Sequence, residues 1–400
     1  METKDRISVT IVDRNYPPNK SVIAESASDL AKHLIDQKID VHVVHTDGNY
    51  QGGGADGIIV GNTHKVPSIY NGKQKLIRLI SSLIEGFLLI KKAKKINKGV
   101  IIVMTSPPLL NFWASILLRK KKIPWIYWSM DVYPQAFIAG NLITEKSTIY
   151  KYFYNKTYDY PPVGMIALGE IQAKYLEDHF HKKIDKTILP CGVFLNQKNG
   201  SATDTSTPVW RTDESKIYLG YVGNLGEAHS VDFLKHIIDH LDESRHKVIF
   251  VLYGSKANFV IDYIKSKKSK AIVLLDFVPR QELKYIDIHL VSLEPSWVNI
   301  CVPSKMVSAV HKGSIFLFYG IKDCDSWRYL NKAGWIIEKS DKDAKNIKDF
   351  LTTLDIEMID NKKAEADSMP QLLQDNTEKA YDEIVEMIHQ KTNKYFEWDE

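Results

Sequence analysis

Short apolar runs rich in β-branched residues alternate along the first half of the chain with longer stretches whose apolar positions recur at helical spacing. The runs are ISVTIVD, DVHVVHT, VIIVMTS, WIYWSMD and GMIALG. Uninterrupted apolar runs of this length mark strands covered on both faces. Between the first two, residues 23–37 place Leu30, Leu34 and Ile35 on one helical face, and residues 109–119 form a second helical stretch before IPWIYW. Strand, helix, strand alternation predicts a parallel α/β sheet with right-handed crossovers.

After Cys191-Gly192-Val193 the pattern breaks into NQKNGSATDTSTPVWRTDES, where small and polar residues replace the apolar ones. The rhythm then restarts with IYLGYVGN, a helix over residues 233–241, KVIFVLYG, a helix near 261–265, AIVLLDFV and HLVSLEP. A second doubly wound domain follows. Residues 341–392 read as helical, through Ile347, Phe350, Leu351 and Leu354 and then Tyr381, Ile384, Val385 and Ile388. The expected organisation is a first domain over 1–195, a linker over 196–216, a second domain over 217–375, and a helical segment over 376–400 that packs back on the first domain.

Composition changes this picture in one respect. The 400 residues are 44% hydrophobic and 26% charged, as in an ordinary globular chain, and the net charge is only +4. That total conceals an asymmetry: 26 basic against 17 acidic residues up to position 195, and 27 against 32 beyond it. Residues 65–122 carry thirteen basic side chains and one acid, Glu85. Within them, KQKLIRLISSLIEGFLLIKKAKKI combines a long apolar face with Lys73, Lys75 and Arg78 at one end and Lys91, Lys92, Lys94 and Lys95 at the other. Such a helix suits an anionic membrane surface; a buried domain helix with solvated flanks is the other reading. Arg78 and Glu85 interrupt the stretch, which is also shorter than a bilayer span requires. The basic residues lack interleaved aromatics, so nucleic acid is not expected as a partner. Three scattered cysteines and a start without a secretion-signal pattern predict a cytoplasmic protein.

Ligands of open α/β sheets bind beyond the carboxyl ends of the strands. There the second half carries Gly223-Asn224-Leu225-Gly226, with His229 close behind, then Tyr253-Gly254, then Phe277-Val278-Pro279 with Glu282-Leu283, and finally Pro303-Ser304-Lys305 before a helix that closes at Gly313. Glycines ahead of a helix bring free backbone N–H groups to a phosphate, and a lysine beside a hydroxyl at a helix start adds charge to the dipole. Each motif alone also fits a plain turn or cap. Of thirteen histidines, His229 is the one with a motif beside it. Asp323-Cys324-Asp325 reads as a solvated turn, and no ligand set at metal spacing stands out.

In this order the motifs resemble the GT-B glycosyltransferases of the retaining family four type, including O-antigen and capsule sugar transferases. The resemblance spans about residues 7–340. It implies two Rossmann-like doubly wound domains facing a cleft, with a nucleotide diphosphate sugar as donor and no obligatory cofactor or metal. Donor contacts would come from Gly223, Asn224, Leu225, Gly226, His229, Tyr253, Gly254, Phe277, Val278, Pro303, Ser304, Lys305 and Ser308. In the first half Tyr16-Pro17-Pro18, Ser21 and Asp131-Val132-Tyr133-Pro134 are similar to the family's acceptor-side loops, which gives Tyr16, Ser21 and Asp131 acceptor roles. Asp131 and Lys305 are the catalytic candidates.

Departures from the family pattern matter: Ser308 stands where relatives carry a ribose-binding glutamate, the family's acidic pair spaced by seven residues is absent, so Glu294 does not inherit either role, and His229 stands near the place of a basic residue. The expected activity is transfer of a hexosyl, deoxy or acetamido sugar to a polyprenyl-diphosphate-linked or glycan acceptor at the inner face of the cytoplasmic membrane. A noncatalytic nucleotide-sugar-binding or scaffold protein and a nucleotide-sugar epimerase are the alternatives.

Overall fold

The computed structural model describes residues 7–48, 57–70, 74–195 and 207–396. The chain forms two compact units, one of Met1–Asn196, Asn299–Val302 and Asn376–Glu400 and the other of Gln197–Val298 and Pro303–Asp375.

The first unit contains β1 (Ser8–Val12), α1 (Val22–Asp36), β2 (Asp40–Thr46), β3 (Asn62–Val66), α2 (Lys75–Ile96), β4 (Val100–Val103), α3 (Leu110–Arg119), β5 (Trp125–Ser129), α4 (Gln135–Ala139), α5 (Thr148–Tyr158), β6 (Gly164–Ala167), α6 (Glu170–Phe180) and β7 (Asp185–Ile188). Its strands form a parallel sheet in the order β3-β2-β1-β4-β5-β6-β7. The five apolar runs of the sequence became β1, β2, β4, β5 and β6, and β1, β4, β5 and β6 are buried along their whole length. The edge strands β3 and β7 carry only short, polar sequences, which is why periodicity did not reveal them. Ser21 begins α1 by accepting the amide of Ala24 at 3.1 Å.

The second unit contains β8 (Ile217–Asn224), α7 (Val231–Asp239), β9 (His246–Tyr253), α8 (Ala257–Lys267), β10 (Ile272–Leu274), β11 (Ile288–Ser292), α9 (Ser304–His311), β12 (Ile315–Gly320), α10 (Asp325–Leu330), β13 (Gly334–Glu338), α11 (Asp343–Thr353) and α12 (Ile356–Ala366). The sheet order is β10-β9-β8-β11-β12-β13, again parallel. A last helix, α13 (Met369–Phe396), starts in this unit, and its residues from Asn376 belong to the first.

The stretch read as a linker does more than connect. Trp210 is buried against Tyr218, Ile249 and Val278 in the second unit, and its indole N–H donates to Glu282 at 2.7 Å. Arg211 donates to the Tyr285 carbonyl at 2.6 Å and pairs with Asp287 at 3.3 Å. In the described part of the stretch the Asp213 amide also donates to the Tyr218 hydroxyl at 3.1 Å. The short segment Asn299–Val302 is a second difference. The Ile300 carbonyl accepts from the Val132 amide at 3.1 Å and from Gln172 Nε2 at 3.1 Å, and Val302 enters the first unit's core.

Glu85, the acid inside the apolar stretch, is fully buried in α2. It pairs with Arg14 Nε at 3.0 Å and accepts the Ile69 amide at 2.8 Å. Partner and backbone donor together make this buried charge tenable. At the far end of the unit, Tyr381, Ile384 and Ile388 of α13 fill the core beside Leu30, Ile126 and Ile166, and the Tyr381 hydroxyl donates to Asp29 at 2.9 Å. Because Ile384 is fully buried there, Ile384→Ala is expected to cost about 2–5 kcal/mol. The check is the urea midpoint of the first unit's unfolding transition, followed by tryptophan fluorescence.

Candidate functional site

In the second unit the chain leaves β8 on one side for β9 and β10 and returns on the other for β11, so the loops after β8 and β11 diverge from a switch point. The glycine loop lies there. Gly223 and Gly254 have φ of +133° and +105°, conformations that favour glycine. A Cβ on Gly254 would sit 2.0 Å from Asn224 Oδ1, so the loop after β9 reaches Asn224 only because that position lacks a side chain. Leu225 is buried; its amide donates to the Tyr253 carbonyl at 2.7 Å, and its carbonyl accepts the Lys256 amide at 3.0 Å. The loop is thereby tied to β9. It is also tied to β11: the amide of Ser230 donates to Ser292 Oγ at 3.0 Å, and His229 Nδ1 lies 2.6 Å from the Ser292 carbonyl.

That carbonyl can only accept, so Nδ1 carries the proton and the neutral ring offers Nε2 as an acceptor. Burial holds the His229 pKa well below the usual histidine value, and the charge of Lys305 pushes it the same way. His229 therefore does not replace a cation. The cation is Lys305, at the second position of α9, whose Nζ donates to Tyr221 Oη at 2.8 Å and to the Asn224 carbonyl at 2.9 Å. Loss of water pushes its pKa down to about 7. Ser304 and Ser308 share the same helix one turn apart, and Pro303 is its N-cap.

The remaining candidates divide. Tyr253 reaches this cluster, its hydroxyl lying 3.8 Å from where a Cβ on Gly223 would be. Phe277 is 73% exposed, whereas Val278 turns its side chain into the core with Trp210 and Ile286. Glu294 is held by Lys339 at 2.5 Å. Sequence reading missed Tyr221 and Lys256. Lys256 Nζ donates to the carbonyls of Glu227 at 2.8 Å and His229 at 3.0 Å, closing the loop from the α8 side. Alternation along β8 was the available signal for Tyr221, since it faces the same way as Gly223.

In the first unit the switch point falls between β1 and β4. Asp13, fully buried, accepts the amides of Asn15 at 2.8 Å and Ser106 at 3.1 Å, joining the two loops. Burial raises its pKa to about 8. Asn15 Nδ2 donates to Ser106 Oγ at 3.2 Å, and the Asp131 amide donates to Thr105 Oγ1 at 3.3 Å. Asp131 thus stands beside the crevice, partly exposed, with burial raising its pKa to about 6. Tyr16 and Ser21 are placed otherwise. The Tyr16 ring is fully buried and its hydroxyl donates to the Val60 carbonyl at 2.9 Å; the Ser21 hydroxyl is the α1 cap. Asn15, Thr105 and Ser106, overlooked in the sequence, occupy the strand ends where the switch-point rule would have found them.

Among the described residues no group of three or more His, Cys, Asp or Glu could hold a metal ion. Asp323 pairs with Arg328 at 2.6 Å, while Asp325, expected on a solvated turn, is only 7% exposed in the first turn of α10.

No protein-family model and no curated protein sequence matches this chain. Solved structures do. WaaG, a glycosyltransferase involved in lipopolysaccharide biosynthesis, superposes with a TM-score of 0.66 at 15% identity, over 94% of this chain and 98% of that one. The sucrose-phosphate synthase of Thermosynechococcus elongatus gives 0.67 at 11% identity, over 98% and 99%. Anabaena HepE, in complex with UDP and glucose, gives 0.63 at 12%, over 96% and 100%. The fold is that of the GT-B glycosyltransferases, built from two Rossmann-like α/β units.

Gly254→Ala is expected to cost more than about 1 kcal/mol, from the positive φ and the clash with Asn224 together. Gly313→Ala has a similar φ penalty, with φ +77°, but its Cβ would meet nothing within 4 Å. Chemical denaturation of both variants should therefore show the larger loss at Gly254.

Proposed function

We propose that this chain is a glycosyltransferase that moves a sugar from a nucleoside diphosphate donor to a polyprenyl-diphosphate-linked or glycan acceptor in bacterial surface-polysaccharide assembly, with retention at the anomeric carbon. The observation that carries this reading is the Lys305 ammonium beside the glycine loop at the switch point of the second unit. The fold shared with WaaG and with UDP-binding HepE supports it.

The donor diphosphate would lie against the first turn of α9 and the Gly223–Gly226 loop, with Lys305 and the helix dipole opposing its charge. The bond from the anomeric carbon to the diphosphate oxygen breaks, and its electron pair leaves with the nucleoside diphosphate, whose growing charge Lys305 stabilises. An acceptor hydroxyl forms the new bond and passes its proton to the departing diphosphate oxygen. Asp131, ionised above its pKa of about 6, accepts a hydrogen bond from that hydroxyl and orients it, alongside Asn15 and Ser106.

The start of α2 supports a membrane-surface location for the same enzyme. Ile77, Leu79, Ile80 and Ile84 are exposed there, around Arg78. Lys91 and Lys95 follow on the exposed side of the helix. Aromatic contacts from Phe87 through Trp113 and Phe112 to Tyr152 link α2, α3 and α5 into one layer, which adds exposed Ile149 and Tyr152 to the face. The buried second half of α2, with Leu89, Ile90 and Ala93, belongs to the core. Lys94 is bound to the Leu117 carbonyl at 2.6 Å, and Lys73 lies outside the described residues. No helix among the described residues is long and apolar enough to cross a membrane.

Ser308 in place of a glutamate favours a second reading, a nucleotide-sugar-binding protein without transfer. Binding of donors with neither transfer nor hydrolysis across a donor panel and a cell lipid extract would select it.

Lys305→Ala is expected to lower kcat/KM about 100-fold and to weaken UDP binding; unchanged kinetics would remove Lys305 from the mechanism. Asp131 works ionised, above about pH 6, and Lys305 works protonated, below about pH 7. The pH profile of kcat/KM should therefore rise through 6 and fall beyond 7, with the alkaline limb absent from Lys305→Ala. Sedimentation with phosphatidylglycerol vesicles should exceed that with phosphatidylcholine and should drop in an Ile80→Glu, Ile84→Glu variant. Equal binding to both lipids would sink the electrostatic part of the membrane reading.

A further inference from the structure

Lys305 is not simply a lysine near a loop. An ammonium has three N–H donors; two are spent on Tyr221 Oη at 2.8 Å and the Asn224 carbonyl at 2.9 Å. The third has no partner among the described residues. The Nζ also lies 4.1 Å from the centroid of the Tyr221 ring, within cation–π range. Tyr221 is itself fully buried in β8, and its hydroxyl donates to the Asn224 carbonyl at 3.0 Å. Tyrosine, hydroxyl and carbonyl thus form a seat in which the ammonium has one direction left open.

We propose that Tyr221 is the positioning residue of the anion site, its ring and hydroxyl holding the Lys305 ammonium at the end of β8 with a single N–H directed to a phosphate oxygen. The anion's identity as a donor diphosphate rests on the glycosyltransferase reading; the hold of Tyr221 on Lys305 does not. The other groups facing this ammonium are Tyr253 from the end of β9, whose hydroxyl flanks the same side of Gly223, and neutral His229 from the loop. Lys256, from beyond the loop, adds its positive charge against His229.

A hydroxyl that accepts from an ammonium favours its charged form. Tyr221→Phe keeps the ring and removes that acceptor, so the Lys305 titration should move to lower pH. A tyrosine that merely filled space would leave it in place. The test uses the full chain labelled with 13C,15N-lysine, in which Hε–Cε–Nζ correlations report each lysine's titration; Lys305 is assigned by loss of its signal in Lys305→Arg. The expected result has three parts: Lys305 Hε shifted upfield by the ring in the unaltered protein, a lower titration midpoint in Tyr221→Phe, and UDP affinity weaker by about 5–10-fold in that variant, its alkaline decline displaced to lower pH. An unchanged midpoint and unchanged UDP affinity would overturn the proposal. If Tyr221→Phe does not fold, an unshifted Hε resonance in the unaltered protein overturns it instead. A lowered midpoint in a chain that binds no UDP upholds the role of Tyr221 and overturns the nucleotide-sugar reading.

Discussion

A parallel sheet that grows from one inner strand in both directions separates the loops after its two innermost strands, and the resulting gap is where free backbone amides and side chains can converge. Both units obey this constraint. In the second, the gap is bridged by His229 and Ser230 reaching Ser292; in the first, Asp13 spans it by accepting amides from both loops. Each bridge fixes the distance between two loops whose other residues are left to make contacts, and the cluster of Lys305, Tyr221 and Asn224 is meaningful only because those loops are held.

What was legible in the sequence followed the strength of the hydrophobic signal. Strands buried on both faces write unbroken apolar runs, so β1, β4, β5, β8, β9 and β11 stood out, and with them the strand ends that carry Gly223, Tyr253 and Asp131. The edge strand β3, with sequence NTHKV, has no such signature because only Val66 is buried. Motif order located the glycine loop and Lys305, since both depend on local backbone shape, which the residues beside them dictate. Tyr221 could not be found that way. It lies inside a strand already explained as core, and its second role exists only because α9, more than eighty residues later, delivers an ammonium to its ring. For the same reason Tyr16 and Ser21, placed by motif at the acceptor side, spend their hydroxyls on Val60 and on the α1 cap.

The charge asymmetry between the halves also acquires a local meaning. In the first unit the basic excess surrounds α2 and the turn from the end of α3 to β5, and Arg14 pairs with Glu85, the one acid of residues 65–122. Lys91 and Lys95 are exposed on the helix whose start exposes Ile77, Leu79, Ile80 and Ile84. An apolar face framed by like charge is costly in water and is relieved at an interface that is both apolar and anionic.

Within that site the count of charges decides what kind of ligand can be held. Lys339 is compensated by Glu294 at 2.5 Å, and Lys256 has Glu227 at 3.8 Å. Lys305 has neutral partners, a hydroxyl and a carbonyl. An ammonium taken from water and given only neutral acceptors is unstable as a charge, which is why its pKa falls to about 7. The same arrangement leaves its charge unspent. On the proposed function, an arriving anion would supply the compensation that the protein withholds, raise the lysine's pKa, and so draw a proton into the site as it binds. A carboxylate in place of the Tyr221 hydroxyl would stabilise the lysine and abolish that coupling, because the site would then carry its counter-charge before any ligand came.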